Sequence, residues 1–137
     1  MVVANDVVVG LEWTRPAQDD DHPVLADAVA QLTVYFSGAR HAFDLPLAPK
    51  VSDFQRRFGA HLCAIPYGET RTYGELAHQM NRPAQAIGQA CGANPIAIII
   101  PCHRVLSATG LGGYSGAGGI ETKVKLLQHE GAASLLL

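Results

Sequence analysis

Residues 72–91 run TYGELAHQMNRPAQAIGQAC. Thr72 and Glu75 stand at capping-box spacing, so a short helix opens at this point and continues through Met80. Asn81-Arg82-Pro83 makes a tight turn, and Pro83 suits the first position of a second helix from Ala84 to about Cys91. Two short helices around a turn of this length form a helix-turn-helix, whose second helix can enter a DNA groove. Helical hairpins are common, so this pattern alone leaves nucleic-acid binding open.

Upstream, Ser52 or Asp53 caps a helix that turns Phe54, Phe58, Leu62 and Ile65 inward and ends before Pro66 and the Tyr67-Gly68 turn. Ala42 to Leu47 reads as a short extended piece, kept from continuing by Pro46 and Pro49. From Val24 the apolar positions Leu25, Ala28, Val29, Leu32, Tyr35 and Phe36 recur at helical steps until Ser37-Gly38, where glycine can take a left-handed cap. Thr14 to Pro23 is a polar, proline-punctuated loop, and its Asp19-Asp20-Asp21 run reads as solvated surface. Val7-Val8-Val9 through Leu11-Glu12-Trp13 is a short strand.

Composition narrows the class. The chain has 137 residues, 48% of them apolar and 16% charged, enough for a core and unlike a disordered segment. No apolar run approaches the roughly 18 residues of a membrane span, and the start lacks a signal peptide's basic segment. Three cysteines without a Cys-x-x-Cys pair argue against a disulfide scaffold and a zinc ribbon. The expectation is a reduced, cytoplasmic protein with no metal, its six histidines being scattered. Residues 1–49 carry two basic and seven acidic residues, whereas 50–137 carry eight basic and five acidic ones. A mildly basic second part permits contact with a polyanion without demanding it.

Downstream of the helical pair, Ile96-Ala97-Ile98-Ile99-Ile100 is an apolar run of the kind found in fully buried strands, followed at once by Pro101-Cys102-His103-Arg104-Val105. A thiolate is a nucleophile, and a neighbouring imidazole can take its proton. Cys63, inside an amphipathic helix, and Cys91, at a helix end, read as packing residues.

The surroundings of Cys102 sharpen this reading. Asn94-Pro95, Ile100-Pro101-Cys102-His103-Arg104-Val105, Gly112-Gly113-Tyr114-Ser115-Gly116, Lys123 and Glu130-Gly131 together closely resemble the O6-alkylguanine-DNA alkyltransferases. These repair proteins move an alkyl group from guanine onto their own cysteine. Phe54-Gln55, Ile65 to Thr70 and Thr72 to Ala77 extend the resemblance, which covers about 100 residues from Leu32 to Ala132. It implies an α+β fold in two parts: a reduced N-terminal α/β part, 1–49, packed on a mostly helical part, 50–137. The second part would hold the helix-turn-helix and the site. The second helix, with Ala84, Gln85 and Gly88, would lie in the minor groove of double-stranded DNA bearing O6-alkylguanine. That groove is poor in sequence information and so suits a search for lesions in any sequence. No membrane contact is implied, and the protein is expected to be a monomer.

The resemblance also implies roles. Tyr73 would crowd the 3′ phosphate and turn the guanine out of the stack, where a thiolate can reach it. Cys102 would attack the alkyl carbon, His103 would draw the thiol proton through a water, and Glu130 would orient the imidazole. Ser115, through its backbone N–H, and the Tyr73 hydroxyl would protonate or hydrogen-bond the leaving base. The Val105 and Cys102 carbonyls would read its amino group, and Tyr114 would wall the pocket. From the residues themselves, Asn94, held extended or in a turn before Pro95, can bridge backbone groups near Cys102, and Arg104 either braces the structure or contacts substrate. A thioether is stable and no resolving thiol or cofactor is expected, so each molecule should act once. O4 of thymine stands open as a second target.

Three features depart from the family pattern. Few residues precede Leu11-Glu12-Trp13, so the N-terminal part is expected to be reduced or completed by another chain. Gly59 stands where a tryptophan is common. Gln85 stands where an arginine usually fills the gap left by the flipped base, with Arg82 as a substitute from the turn. The rival reading is an alkyltransferase-like lesion sensor that binds without transfer. Such sensors replace the cysteine, which Cys102 argues against. A purely architectural helix-turn-helix protein would not need Cys102, His103 and Glu130 together.

Overall fold

The computed structural model describes residues 1–4, 6–13 and 22–132. The loop expected from Thr14, with its three aspartates, lies outside the described residues except for its last two, His22 and Pro23. Val2–Ala4 (β1) pairs antiparallel with Val7–Gly10 (β2), Val3 opposite Val8. Leu47 bridges parallel to Val8, whose N–H donates to the Pro46 carbonyl at 2.7 Å. The strand expected to reach Trp13 stops at Gly10, because the Leu11 N–H turns away and donates to the Pro95 carbonyl at 2.8 Å.

Pro23–Phe36 forms α1, with the His22 ring accepting from the Val24 N–H as its N-cap. Gly38, at φ 88°, supplies the left-handed residue just beyond it. The buried Gln31 amide clamps Asp44, accepting from its N–H at 2.8 Å and donating to its carbonyl at 2.9 Å. This ties the extended piece after α1 back to the helix.

Asp53–Cys63 forms α2, capped by the Ser52 hydroxyl, and Tyr73–Met80 forms α3, opened by the full Thr72–Glu75 capping box. Asn81 in the left-handed region (φ 53°) turns the chain into α4, Ala84–Gly92. Pro83 is the N-cap, in extended geometry (ψ 148°), one place before the position expected for it. Its missing N–H costs nothing there either. Arg71–Thr72 (β3) pairs parallel with Val105–Leu106 (β4), and Ile120–His129 (α5) ends at Glu130. The architecture is α+β, and no helix among the described residues is long and apolar enough to cross a membrane.

The main core joins Val8, Phe58, Leu62, Leu76, Ile87, Ile96, Ile100 and Val105, all buried. At about 1.5–3 kcal/mol per fully buried large aliphatic or aromatic side chain, this cluster supplies much of the driving force for folding. The apolar run Ile96–Ile100 is buried as expected, but it is a series of turns and not a strand. Prolines flank it and Ile98 sits at φ 72°, so the run cannot extend into a ladder. Two of its N–H groups bond within the run, Ile99 to the Ala97 carbonyl and Ile100 to the Ile96 carbonyl, both at 2.9 Å. Gly59 borders a cavity of about 210 Å³ between α2, Leu47 and Ile100, where its missing side chain leaves room.

Candidate active site

Cys102 opens a 3₁₀ turn, Cys102–Arg104, at the end of the buried turns and directly before β4. It is 4% exposed and lines a cavity of about 400 Å³, together with Tyr73 from α3, Gly88 and Cys91 from α4, and Tyr114 and Ser115 from the following loop. Burial pushes the Cys102 thiol up, and the Asn94 side chain and the Lys123 ammonium oppose that by favouring the thiolate. Cys91, taken as a packing residue, therefore faces the same cavity as Cys102. Burial and the neighbouring Cys102 push its thiol up to about 12, so it stays protonated.

His103 and Glu130 are both buried and joined at 2.8 Å, His103 Nε2 to Glu130 Oε2. An ionised carboxylate can only accept, so Nε2 carries the proton and Nδ1 keeps its lone pair. Among the described residues Nδ1 has no hydrogen-bond partner, which leaves it free to act as a base. Burial holds His103 below its ordinary value and so neutral at rest. Glu130 behaves oppositely. Burial alone would raise it, but hydrogen bonds from His103, Arg104 and Tyr35 hold it down to about 2. Arg104 grips both carboxylate oxygens, Nε to Oε1 at 2.8 Å and an NH2 to Oε2 at 2.9 Å, while its other arm donates to the Ile65 carbonyl at 2.8 Å. Arg104 thus braces the carboxylate that His103 also meets, one of the two roles open to it.

Asn94 brackets the buried turns, donating to the Ile100 carbonyl at 2.7 Å and accepting from the Ile96 N–H at 3.1 Å. The loop after β4 is held by Lys123, fully buried, whose Nζ donates to the carbonyls of Val105 (2.6 Å), Leu111 (2.5 Å) and Gly113 (3.1 Å). The Val105 carbonyl thus already has one side-chain donor. Two loop glycines are sterically required. A Cβ on Gly112 would lie 2.9 Å from the Tyr73 hydroxyl at a positive φ, and one on Gly116 would run into the Tyr114 ring and Trp13. The Tyr114 hydroxyl is buried without a partner among the described residues.

On α4, Ile87 and Ala90 face the core, while Ala84, Gln85 and Gly88 are exposed. A Cβ at Gly88 would meet open space, so this face is flat. Gln55 anchors the helix from behind, donating to the Ala90 carbonyl at 2.8 Å. Arg82 lies over the Phe54 ring, 5.0 Å from its centroid.

The fold therefore brings Cys102, Tyr73, Tyr114 and Ser115 to one cavity and places His103, Glu130 and Arg104 in one network behind it. Gln85 and Arg82 stay outside, on the exposed helix-turn-helix. Three participants escaped the sequence reading. Lys123 had no assigned role, Cys91 was read as packing, and Tyr35 was one apolar position in α1. The one available signal for Tyr35 was a phenol among aliphatic neighbours, since a buried hydroxyl needs a partner. Among the described residues no group of three or more His, Cys, Asp or Glu could hold a metal.

Residues 53–132 match the family model described as 6-O-methylguanine DNA methyltransferase, DNA binding domain. A Mycolicibacterium paratuberculosis methylated-DNA--protein-cysteine methyltransferase is 48% identical over 122 residues, covering 87% of this chain and 73% of that protein. The crystal structure of Mycobacterium tuberculosis OGT in complex with DNA superposes with a TM-score of 0.73 at 51% identity, covering 79% of this chain and 68% of that one. Schizosaccharomyces pombe Atl1, in complex with damaged DNA containing O6-carboxymethylguanine, matches at a TM-score of 0.50 and 29% identity over 60% of this chain and 79% of that one.

Proposed function

The chain belongs to the 6-O-methylguanine DNA methyltransferase family, and from that premise we propose that it repairs DNA by moving an alkyl group from O6 of guanine onto Cys102. The observation that carries this is the buried Cys102 lining the cavity, followed in the chain by His103, whose Nε2 pairs with Glu130 and whose Nδ1 has no partner among the described residues.

In this reading the flipped guanine enters the cavity between Tyr73 and Tyr114, which its flat ring fits. The thiol proton passes through a water to His103 Nδ1, and Glu130 stabilises the imidazolium. The Cys102 sulfur attacks the alkyl carbon in line. The S–C bond forms, the C–O6 bond breaks, and its electron pair leaves on the guanine. The Ser115 N–H and the Tyr73 hydroxyl stabilise the leaving base. The Val105 and Cys102 carbonyls read the guanine amino group.

Double-stranded DNA is the partner, approached through the minor groove by α4 with Ala84, Gln85, Gly88 and the neighbouring Arg82. We read residues 1–49 as a brace on 50–137, and the protein as a cytoplasmic monomer. A lesion sensor without transfer would have no use for a thiol at this position.

Intact-mass measurement tests the reading. After incubation with an O6-methylguanine oligonucleotide, one adduct of methyl mass is expected on the peptide containing Cys102. An adduct on Cys63 or Cys91 instead, or none on folded protein, would overturn it. Cys102→Ala should abolish transfer and keep DNA binding.

A further inference from the structure

The Tyr35 hydroxyl donates to Glu130 Oε2 at 2.6 Å, from a residue 95 positions earlier in the chain. Tyr35 is fully buried and lies on α1, outside the span matched by the family's DNA-binding model. Its ring packs edge-on to Tyr67 and against Phe43, and its own carbonyl pairs with His129 Nε2 at 2.7 Å. The phenol is thus held rigidly toward the carboxylate. Among the described residues Oε1 of Glu130 is bound by Arg104 alone, whereas Oε2 is shared by Tyr35, Arg104 and His103. Tyr35 therefore competes on the very oxygen that His103 uses.

We infer that Tyr35 is a positioning residue for alkyl transfer: its hydroxyl draws charge density from Glu130 Oε2 and so sets how readily His103 takes the proton of Cys102. This rests on the reading that His103 is the base. Among the described residues the groups facing Glu130 are His103 and Arg104 from the 3₁₀ turn, Tyr35 from α1 and Tyr67 from the turn after α2, with His129 preceding it at the end of α5. Lys123 acts on His103 from α5. Of the groups hydrogen-bonded to Glu130, Tyr35 is the neutral donor that can be removed without deleting a charge or the base.

The sign of its effect follows from electrostatics. With the hydroxyl gone, Oε2 keeps two donors, so no buried acceptor is orphaned and the fold should survive. The carboxylate then presents more of its charge to His103 and stabilises the imidazolium. His103 holds its proton to higher pH, and the base-competent state is lost earlier as pH falls.

The test is the pH dependence of Cys102 alkylation in Tyr35→Phe and in protein carrying 3-fluorotyrosine at position 35. Free O6-benzylguanine and, separately, iodoacetamide serve as alkyl donors, with the adduct read on the Cys102 peptide. Tyr35→Phe should move the acid limb up by about half a pH unit, a roughly threefold rate loss on that limb. The fluorinated phenol, a stronger donor, should move it down. Limbs coincident with the wild type in folded protein would overturn the proposal. If Tyr35→Phe fails to fold, the fluorinated protein decides alone. A wild type inert to both O6-benzylguanine and the O6-methylguanine oligonucleotide would sink the repair reading, while the iodoacetamide profiles would still judge Tyr35.

Discussion

Lys123, fully buried on α5, donates from Nζ to the carbonyl of Val105 at 2.6 Å and so ties the strand that follows Cys102–Arg104 to the helix that ends at Glu130. The same ammonium holds Leu111 and Gly113, which set the loop over the cavity. Lys123→Met keeps the stem but leaves three carbonyls short of a donor. Urea unfolding should show a loss of about 3 kcal/mol, and an unchanged midpoint would contradict this account.

The relay should be visible without DNA. Free O6-benzylguanine needs no base flipping, so its reaction isolates the thiol chemistry. His103→Ala and Glu130→Gln should slow it by about 10² to 10⁴, the usual range for general-base assistance. Rates within twofold of the wild type would remove both residues from the mechanism.

Stability should fall with acid in two stages. His103 is held below its ordinary 6.5, so the unfolded chain takes up a proton first and stability drops as pH falls below that value. Glu130 is held down to about 2 against an ordinary 4.5, so its contribution is complete above about 4.5 and disappears toward pH 2. That contribution is on the order of 3 kcal/mol. Thermal melts from pH 7 to pH 3 should show the decline, and Glu130→Gln should flatten its lower stage. A pH-independent melting temperature would refute the assignment.

Gly59 offers a gain in stability. A Cβ there would meet Ile100 at 3.7 Å, an ordinary contact, in the middle of α2. Gly59→Ala should stabilise the protein by about 0.5–1 kcal/mol through helix propensity. A lower melting temperature would show that the cavity beside it is needed as it stands.

Gln85 bears on duplex repair. It is exposed on α4, where an arginine could slide into the stack, cover the neighbouring bases and hydrogen-bond to the orphaned cytosine. Flipping an alkylated, weakly paired base costs a few kcal/mol, so glutamine should leave a partial deficit. Gln85→Arg should speed repair of duplex O6-methylguanine several-fold and leave the reaction with free O6-benzylguanine nearly unchanged. Arg82 is engaged over Phe54, and if Arg82→Ala cripples repair while Gln85→Arg changes nothing, the finger comes from the turn.

What the amino-acid sequence determined by itself is local. Caps, helical steps and prolines encode α1 to α4 within a residue or two, because each depends on neighbours three or four positions away. The Pro-Cys-His-Arg-Val run likewise singled out Cys102 as the candidate nucleophile. Only the tertiary structure decided that Ile96–Ile100 is turned and not extended, since a buried apolar run reads alike in either form until its hydrogen-bond partners are known. It alone decided that Cys91 faces the cavity of Cys102, and that Tyr35 reaches Glu130. Those placements depend on how α1, α4 and α5 pack around one core. No periodicity within a helix specifies which distant carboxylate its one buried hydroxyl will meet.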